Sequence, residues 1–110
     1  MPPKDETLYI EELLAAIQRI LHYTRKGREE FFSRTMVQDA VALNLIVIGE
    51  AAKNLSEETR GRAPEIQWKQ IAGMRDRLTH AYPTTDPRIV WQVVEEELEL
   101  LRAAVENLRH

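Results

Sequence analysis

The chain has 110 residues, a formal net charge of −3 and no cysteine. This length suits one domain and leaves little room for a second, while the lack of cysteine excludes a disulfide framework and a thiolate metal site and is compatible with a reducing compartment. The acidic balance gives no general nucleic-acid signal, so contact with nucleic acid would depend on a local cluster of basic residues.

The first helix is predicted over residues 6–26, where apolar residues recur at the spacing of an amphipathic helix. Gly27 is a natural stop. The N-terminal segment, residues 1–12, lacks the basic and apolar regions of a signal peptide. Later apolar runs are interrupted by charge or amide before the ~18 residues that a membrane span requires. We therefore expect a cytoplasmic protein.

A second helix is predicted over residues 35–55. Thr35 and Gln38 have the form of a capping box at its start. Gly49 interrupts the helix at a cost of about 1 kcal/mol relative to Ala. We therefore expect a neighbouring helix to approach closely at this glycine.

The middle of this second helix predicts self-association. Residues 43–49, LNLIVIG, are apolar on nearly all faces, which is more than the core of a four-helix domain requires. The excess favours a symmetric interface with a second copy. Glu50 and Lys53 are most simply a surface pair three residues apart. The alternative is that Glu50 faces the partner copy.

The second half of the chain predicts two further helices. Residues 56–67 form a connector, with one helical turn after a Ser56 cap. The next helix starts at Trp68 and runs for about three turns. Pro83 ends it and biases the preceding Tyr82 towards an extended conformation.

The last helix starts at residues 86–87, where an N-cap aspartate precedes a proline, and continues to the end of the chain. No segment alternates with period two. The sequence therefore predicts a single all-α domain over residues 1–110. Four main helices with a short extra helix or turn would form an up-and-down bundle.

Residues 74–83, MRDRLTHAYP, carry an unusual concentration of polar groups. Arg75 supplies a charged fork suited to a phosphate. His80 lies about 140° away around an ideal helix, so the two can share a ligand only if the helix end unwinds or a second subunit completes the site. Asp76, four residues before His80, could hydrogen-bond the imidazole and orient it for acid–base chemistry.

Two alternatives involve no chemistry at this segment. A histidine and an arginine near a helix C-terminus stabilise the helix dipole by about 0.3–1 kcal/mol, and Tyr82 could be a half-buried anchor of the loop. The sequence also predicts no metal and no other cofactor: the three histidines are far apart, and there is no glycine-rich phosphate loop.

The spacing Arg75-x4-His80-x-Tyr82 resembles the R-x4-H-x-Y signature of HEPN domains of the HepT type, with the polar Asp76 directly after the arginine. The surrounding segments are also similar to that family: residues 39–55 to its second helix, 64–82 to its motif helix and 86–98 to its last helix. One departure is Pro83, where relatives more often carry an apolar or aromatic residue.

The resemblance implies the toxin of a type VII-like toxin–antitoxin pair: a homodimeric, metal-independent endoribonuclease with two motifs facing each other across the interface. Arg75 would bind the scissile phosphate, His80 would transfer protons at the ribose 2′-hydroxyl, and Asp76 would support them. The implied antitoxin is a minimal nucleotidyltransferase of the MntA type that adds AMP to Tyr82.

The sequence also offers candidate phosphate contacts and an alternative function. Arg77 and Lys69, in the locally basic stretch of residues 60–80, are candidates for contacts with RNA phosphates. The alternative function is a non-catalytic helical partner that binds nucleotide or RNA and regulates a nucleotidyltransferase.

Overall fold

The computed structural model describes the backbone of residues 4–109 and the side chains of residues 6–109. Within this range the chain forms seven α-helices and one 3₁₀ turn, without a β-strand, so the all-α prediction is confirmed. The helices are α1 Lys4–Tyr23, α2 Arg28–Ser33, α3 Thr35–Lys53, α4 Glu57–Gly61, α5 Trp68–Ala81, α6 Pro87–Glu96 and α7 Leu98–Leu108, and the 3₁₀ turn is Tyr82–Thr84.

Helix α3 is the centre of the fold, because it packs against α1 on one side and α5 on the other. Its core-facing residues include Val41, Leu45 and Ile48, all at most 4% exposed. Leu13 of α1 and Leu78 of α5 are equally buried. Each such side chain contributes about 1.5–3 kcal/mol when it leaves water, so the α1–α3–α5 layer sets the frame on which the motif residues lie.

By length and composition, α3 is also the one helix in residues 4–109 that could cross a membrane. However, 44% of its apolar window is buried inside the fold, as in the core helix of a globular domain. Its carboxylates are used inside the fold as well, since Glu50 pairs with Arg75 and Asp39 accepts a hydrogen bond from Tyr82.

The first helix ends earlier than predicted, at Tyr23 rather than at residue 26. Gly27 has φ +93°, a conformation that favours glycine, and it starts the short helix α2, which the sequence did not predict. Phe31 anchors α2 in the core, with its ring 5.1 Å from that of Trp91 on α6. Aromatic contacts of Phe31 and Phe32 with Trp91 on a distant helix therefore hold a segment whose own pattern is too short to predict.

The predicted capping box at Thr35 is wrong. Helix α3 has Arg34 as its N-cap, without a side-chain cap. The Gln38 amide instead donates to the carbonyl oxygens of Phe31 and Phe32, at 2.9 and 3.3 Å. Gln38 thus satisfies the free carbonyl groups at the end of α2, a partner that could not be expected while α2 itself was unknown.

The other two predicted caps are confirmed. The Ser56 hydroxyl accepts from the Thr59 amide at 3.1 Å at the start of α4. The Asp86 carboxylate accepts from the Arg88 amide at 2.9 Å at the start of α6, with Pro87 in the first turn. Both caps work because their partners lie two or three residues away in the chain.

The last helix is interrupted, contrary to the prediction of a continuous one. Glu97, with φ −118° and ψ −26°, separates α6 from α7. The kink lets α7 turn back onto α1, and Leu98 and Leu101 are buried directly after it. A cavity of about 340 Å³ lies between the kink, α5 and α3. The apolar pattern runs through the kink, which is why periodicity alone did not predict it.

Candidate active site at the contact of α3 and α5

The motif lies on the second half of α5, which stays helical through Ala81. The unwinding that would bring Arg75 and His80 together in one chain therefore does not occur. In residues 4–109 no hydrogen bond or ion pair joins these two side chains, which remain about 140° apart around the helix axis. Arg75 is partly buried, whereas His80 is exposed.

Two carboxylates hold the guanidinium of Arg75. Its Nη2 lies 2.7 Å from Oε2 of Glu50 on α3, and its Nη1 lies 3.0 Å from Oδ1 of Asp76. The hydrogen bond to Asp76 and the charge of Glu50 raise the pKa of Arg75, so the guanidinium remains charged at any physiological pH. Its Nε is buried and has no hydrogen-bond partner among the described residues.

The close approach predicted at Gly49 is confirmed. A Cβ at this position would lie 2.2 Å from the Cβ of Arg75 and 3.4 Å from the carbonyl oxygen of Ile71. Only glycine fits there without a shift of one helix. The predicted surface pair of Glu50 with Lys53 is wrong, because the neighbouring Arg75 offers Glu50 a guanidinium on the packed helix instead.

The structure does not join Asp76 to His80. Although the two residues are four apart, the carboxylate of Asp76 bonds to Arg75, and within the described range His80 has no hydrogen-bond partner. A guanidinium carries a permanent charge and presents a planar fork of N–H donors, so it competes strongly for a neighbouring carboxylate. Asp76 therefore binds and orients Arg75 rather than His80.

Tyr82 is not extended as predicted. Its φ of −53° and ψ of −46° place it in the helical region, as the first residue of the 3₁₀ turn. The break instead falls at Ala81, with φ −143° and ψ 30°, and the Thr85 hydroxyl donates to the Ala81 carbonyl at 2.8 Å. The bias imposed by Pro83 is overcome because the turn brings the Tyr82 hydroxyl to Asp39 of α3.

The hydroxyl of Tyr82 donates a hydrogen bond to Oδ1 of Asp39. Burial first, and then this bond and the negative charge of Asp39, raise the pKa of Tyr82 to about 12. Sequence reasoning missed Asp39. Its spacing of 11 residues from Glu50, about three helical turns, was the available signal, because it places both carboxylates on one face of α3.

The two predicted phosphate contacts lie at different distances from His80 along α5. Lys69 is exposed and precedes His80 by about three helical turns, so it shares a face with the histidine. Arg77 borders a shallow cavity of about 270 Å³ together with Glu97, at the junction with α6. Arg77, three residues and about one turn before His80, is thus nearer to a ligand at His80 than Lys69, which lies about 16 Å from it along the helix axis.

Comparison with known proteins agrees with the family resemblance. A family model described as ribonuclease HepT-like matches residues 13–108. A Thermococcus cleftensis protein named "Probable ribonuclease HepT" is 39% identical over 102 residues, which cover 92% of this chain and 93% of that protein. A Methanocaldococcus jannaschii protein provisionally named an RNase is 32% identical over 109 residues, 98% of this chain and 94% of its own length.

A Caldanaerobacter subterraneus protein, also provisionally named an RNase, is 33% identical over 101 residues and is covered to 90% of its length. No solved structure matches the chain at a comparable significance.

Proposed function

The chain belongs to the HepT-like ribonuclease family, and from this premise we propose that it is a metal-independent endoribonuclease whose reacting groups are Arg75 and His80. The observation that carries the proposal is the Arg75 guanidinium, 25% exposed and held by carboxylates from both helices of the contact. A fixed, charged fork at the protein surface is suited to a phosphate whose negative charge increases during reaction.

The proposed reaction needs only a base, an acid and a cation. The imidazole of His80 accepts the proton of a ribose 2′-hydroxyl, and the 2′-oxygen attacks the adjacent phosphorus. The bond from phosphorus to the 5′-oxygen then breaks, and that oxygen takes up a proton from the imidazolium that His80 has become. The products are a 2′,3′-cyclic phosphate and a 5′-hydroxyl end. Arg75 stabilises the extra negative charge on the phosphoryl oxygens, Arg77 contacts a flanking phosphate, and Lys69 contacts a phosphate further along the strand.

We propose that a second copy completes this site, because one continuous helix keeps Arg75 and His80 apart. The face of α3 next to the motif supports this proposal. Met36 and Leu43 are 73% and 60% exposed, and Leu43 lies between Asp39 and Glu50 on the same face. Pairing these faces around a twofold axis buries the apolar side chains and brings two motifs together.

We further propose that the protein is a cytoplasmic toxin neutralised by an MntA-type nucleotidyltransferase through AMP addition to Tyr82. In that step the Tyr82 oxygen bonds to the α-phosphorus of ATP, pyrophosphate leaves, and the phenolic proton passes to a base. The hydroxyl must first leave Asp39. The added phosphate then joins Asp39, Glu50 and Asp76 in a concentrated negative field that repels RNA.

Cleavage of RNA in excess chelator tests the ribonuclease. We expect His80→Ala to lower the rate at least ~100-fold, since general acid–base catalysis contributes that much. His22→Ala is the matched control, because His22 is an exposed histidine on α1, and it should cleave normally. Absence of cleavage by the unsubstituted protein, or an undiminished rate in His80→Ala, would refute the assignment.

One observation favours the alternative of a non-catalytic partner of a nucleotidyltransferase. Both Nη atoms of Arg75 already contact carboxylates, an arrangement that a purely structural ion pair would also have. Expression of this chain alone separates the two functions, because a ribonuclease toxin arrests growth and its His80→Ala variant does not. A regulatory partner leaves growth unaffected in both cases.

A further inference from the structure

We infer that Glu50 is a positioning residue of the proposed ribonuclease, and that its carboxylate fixes the Arg75 guanidinium where the scissile phosphate will bind. The inference rests on the proposed function, since it assigns a role in the same reaction. It concerns a residue outside the R-x4-H-x-Y motif, on a different helix.

Two consecutive residues of α3 hold both ends of the Arg75 side chain. Gly49 lies directly against its stem, where an added Cβ would be 2.2 Å from Cβ and 2.7 Å from Cγ of Arg75. Glu50 binds the other end, at 2.7 Å from Nη2. The Arg75 side chain is therefore held at its Cβ and Cγ atoms and at its guanidinium by two adjacent residues of α3.

The Arg75 guanidinium keeps hydrogen-bond donors for a ligand after both of its ion pairs have formed. Nε is buried without a partner and cannot reach a ligand outside. Glu50 engages Nη2 and Asp76 engages Nη1, and because each Nη carries two hydrogens, one N–H on each remains for a phosphate. A guanidinium held in advance with two free donors stabilises the transition state without reorganising during the reaction.

Glu50 and Asp76 differ in what they can fix. Asp76 is the next residue in the chain after Arg75, is 64% exposed and moves together with α5. Glu50 belongs to α3, so its bond sets the position of Arg75 relative to the other helix and to the proposed partner copy. The position of the guanidinium across the site therefore depends on Glu50.

The negative charge of Glu50 should affect RNA binding and RNA cleavage differently. A carboxylate 2.7 Å from the phosphate-binding group repels the RNA backbone. Removal of the Glu50 carboxylate should therefore strengthen RNA binding, because the positive charge of Arg75 is no longer offset. It should also slow cleavage, because the guanidinium loses its fixed orientation. Loss of a merely structural contact would not move binding and cleavage in opposite directions.

The test uses Glu50→Ala and Glu50→Gln, with Glu12→Ala as a charge-matched control at an exposed carboxylate on α1. Single-turnover cleavage in excess chelator gives the rate constant, and RNA binding is measured in the His80→Ala background. We expect Glu50→Ala to cleave at least ~10-fold more slowly and to bind RNA a few-fold more tightly. Glu50→Gln should retain more activity, because its amide oxygen still accepts from Nη2.

Thermal unfolding monitors the integrity of each variant, and Glu12→Ala should leave cleavage unchanged. Normal cleavage by Glu50→Ala would overturn the inference while the proposed function stands. A parallel loss of binding, cleavage and thermal stability would also overturn it, because that pattern indicates a structural role only. If the unsubstituted protein fails to cleave RNA, the proposed function falls, and this inference falls with it.

Discussion

At the scale of single residues, the motif side chains are restrained by acids on α3. The Tyr82 hydroxyl is bound to Asp39 and the Arg75 guanidinium to Glu50. Both acids belong to one face of α3, about three turns apart. The chemistry available at Tyr82 and at Arg75 therefore depends in each case on a partner more than 20 positions away in the chain.

The first prediction concerns the pH dependence of stability. The pKa of Tyr82 is raised from 10.0 to about 12 by burial and by Asp39, so the folded protein keeps the phenolic proton that the unfolded chain loses at about pH 10. The free energy of unfolding should fall as the pH rises from about 10 towards about 12. Denaturant titrations across this range measure it.

The control for this titration is Tyr82→Phe, which has no ionisable hydroxyl and should lack that part of the slope. Asp39→Asn should reduce the slope, because the amide keeps a hydrogen-bond acceptor but loses the negative charge. An identical pH dependence in the unsubstituted protein and Tyr82→Phe would show that Asp39 does not hold the phenol in solution.

At the scale of secondary-structure elements, the contact of α3 with α5 decides the geometry of the site. The two helices meet at Gly49, where the chain has no side chain and Arg75 fills the space. Helix propensity disfavours a glycine in this position by about 1 kcal/mol. The close crossing brings Glu50 within reach of Arg75.

The second prediction follows from this crossing. Gly49→Ala would place a methyl group 2.2 Å from the Cβ of Arg75, so the helices must separate, at a cost of about 1–3 kcal/mol of unfolding free energy. Cleavage should also slow, because Arg75 moves. The matched control is Gly73→Ala on α5, where an added Cβ meets nothing within 4 Å.

Gly73→Ala should stabilise the protein by about 0.5–1 kcal/mol through helix propensity alone. Chemical unfolding compares the two variants. Equal stability changes at the two glycines would contradict the close packing at Gly49.

How far the sequence could predict these elements depends on the range of the interactions. The caps at Ser56 and Asp86 were predictable, because donor and acceptor are at most three residues apart. The role of Gln38 was not, because its acceptors belong to α2. In the site, the residue types were predictable, but the partner of Glu50 was not, since helix spacing alone cannot show which helix packs on which.

At the scale of the whole molecule, α3 has two separate uses. One side is buried between α1 and α5, and the other exposes Met36 and Leu43. The apolar excess predicted for residues 43–49 thus lies partly at the surface, next to the carboxylates that hold Tyr82 and Arg75. An exposed leucine beside these carboxylates is better evidence of an interaction surface than apolar residues scattered singly over the protein.

The third prediction tests the proposed pairing of two copies. Leu43→Glu should convert the dimer to single copies and abolish cleavage without unfolding the domain, because Leu43 is 60% exposed and contributes little to the core. Light scattering measures the mass, and circular dichroism measures the helix content. Leu8→Glu on α1 is the control, since Leu8 is 59% exposed on a different helix.

We expect Leu8→Glu to remain a dimer with normal cleavage. A dimer that survives Leu43→Glu would move the proposed interface away from this face of α3.

The position of α3 between its own domain and the proposed second copy has a consequence for dosage. The same exposed face of α3 would position the arginine and bind the second copy. At concentrations well below the dissociation constant of the dimer, most of the protein would be inactive single chains. The cleavage rate would then rise as the square of the protein concentration.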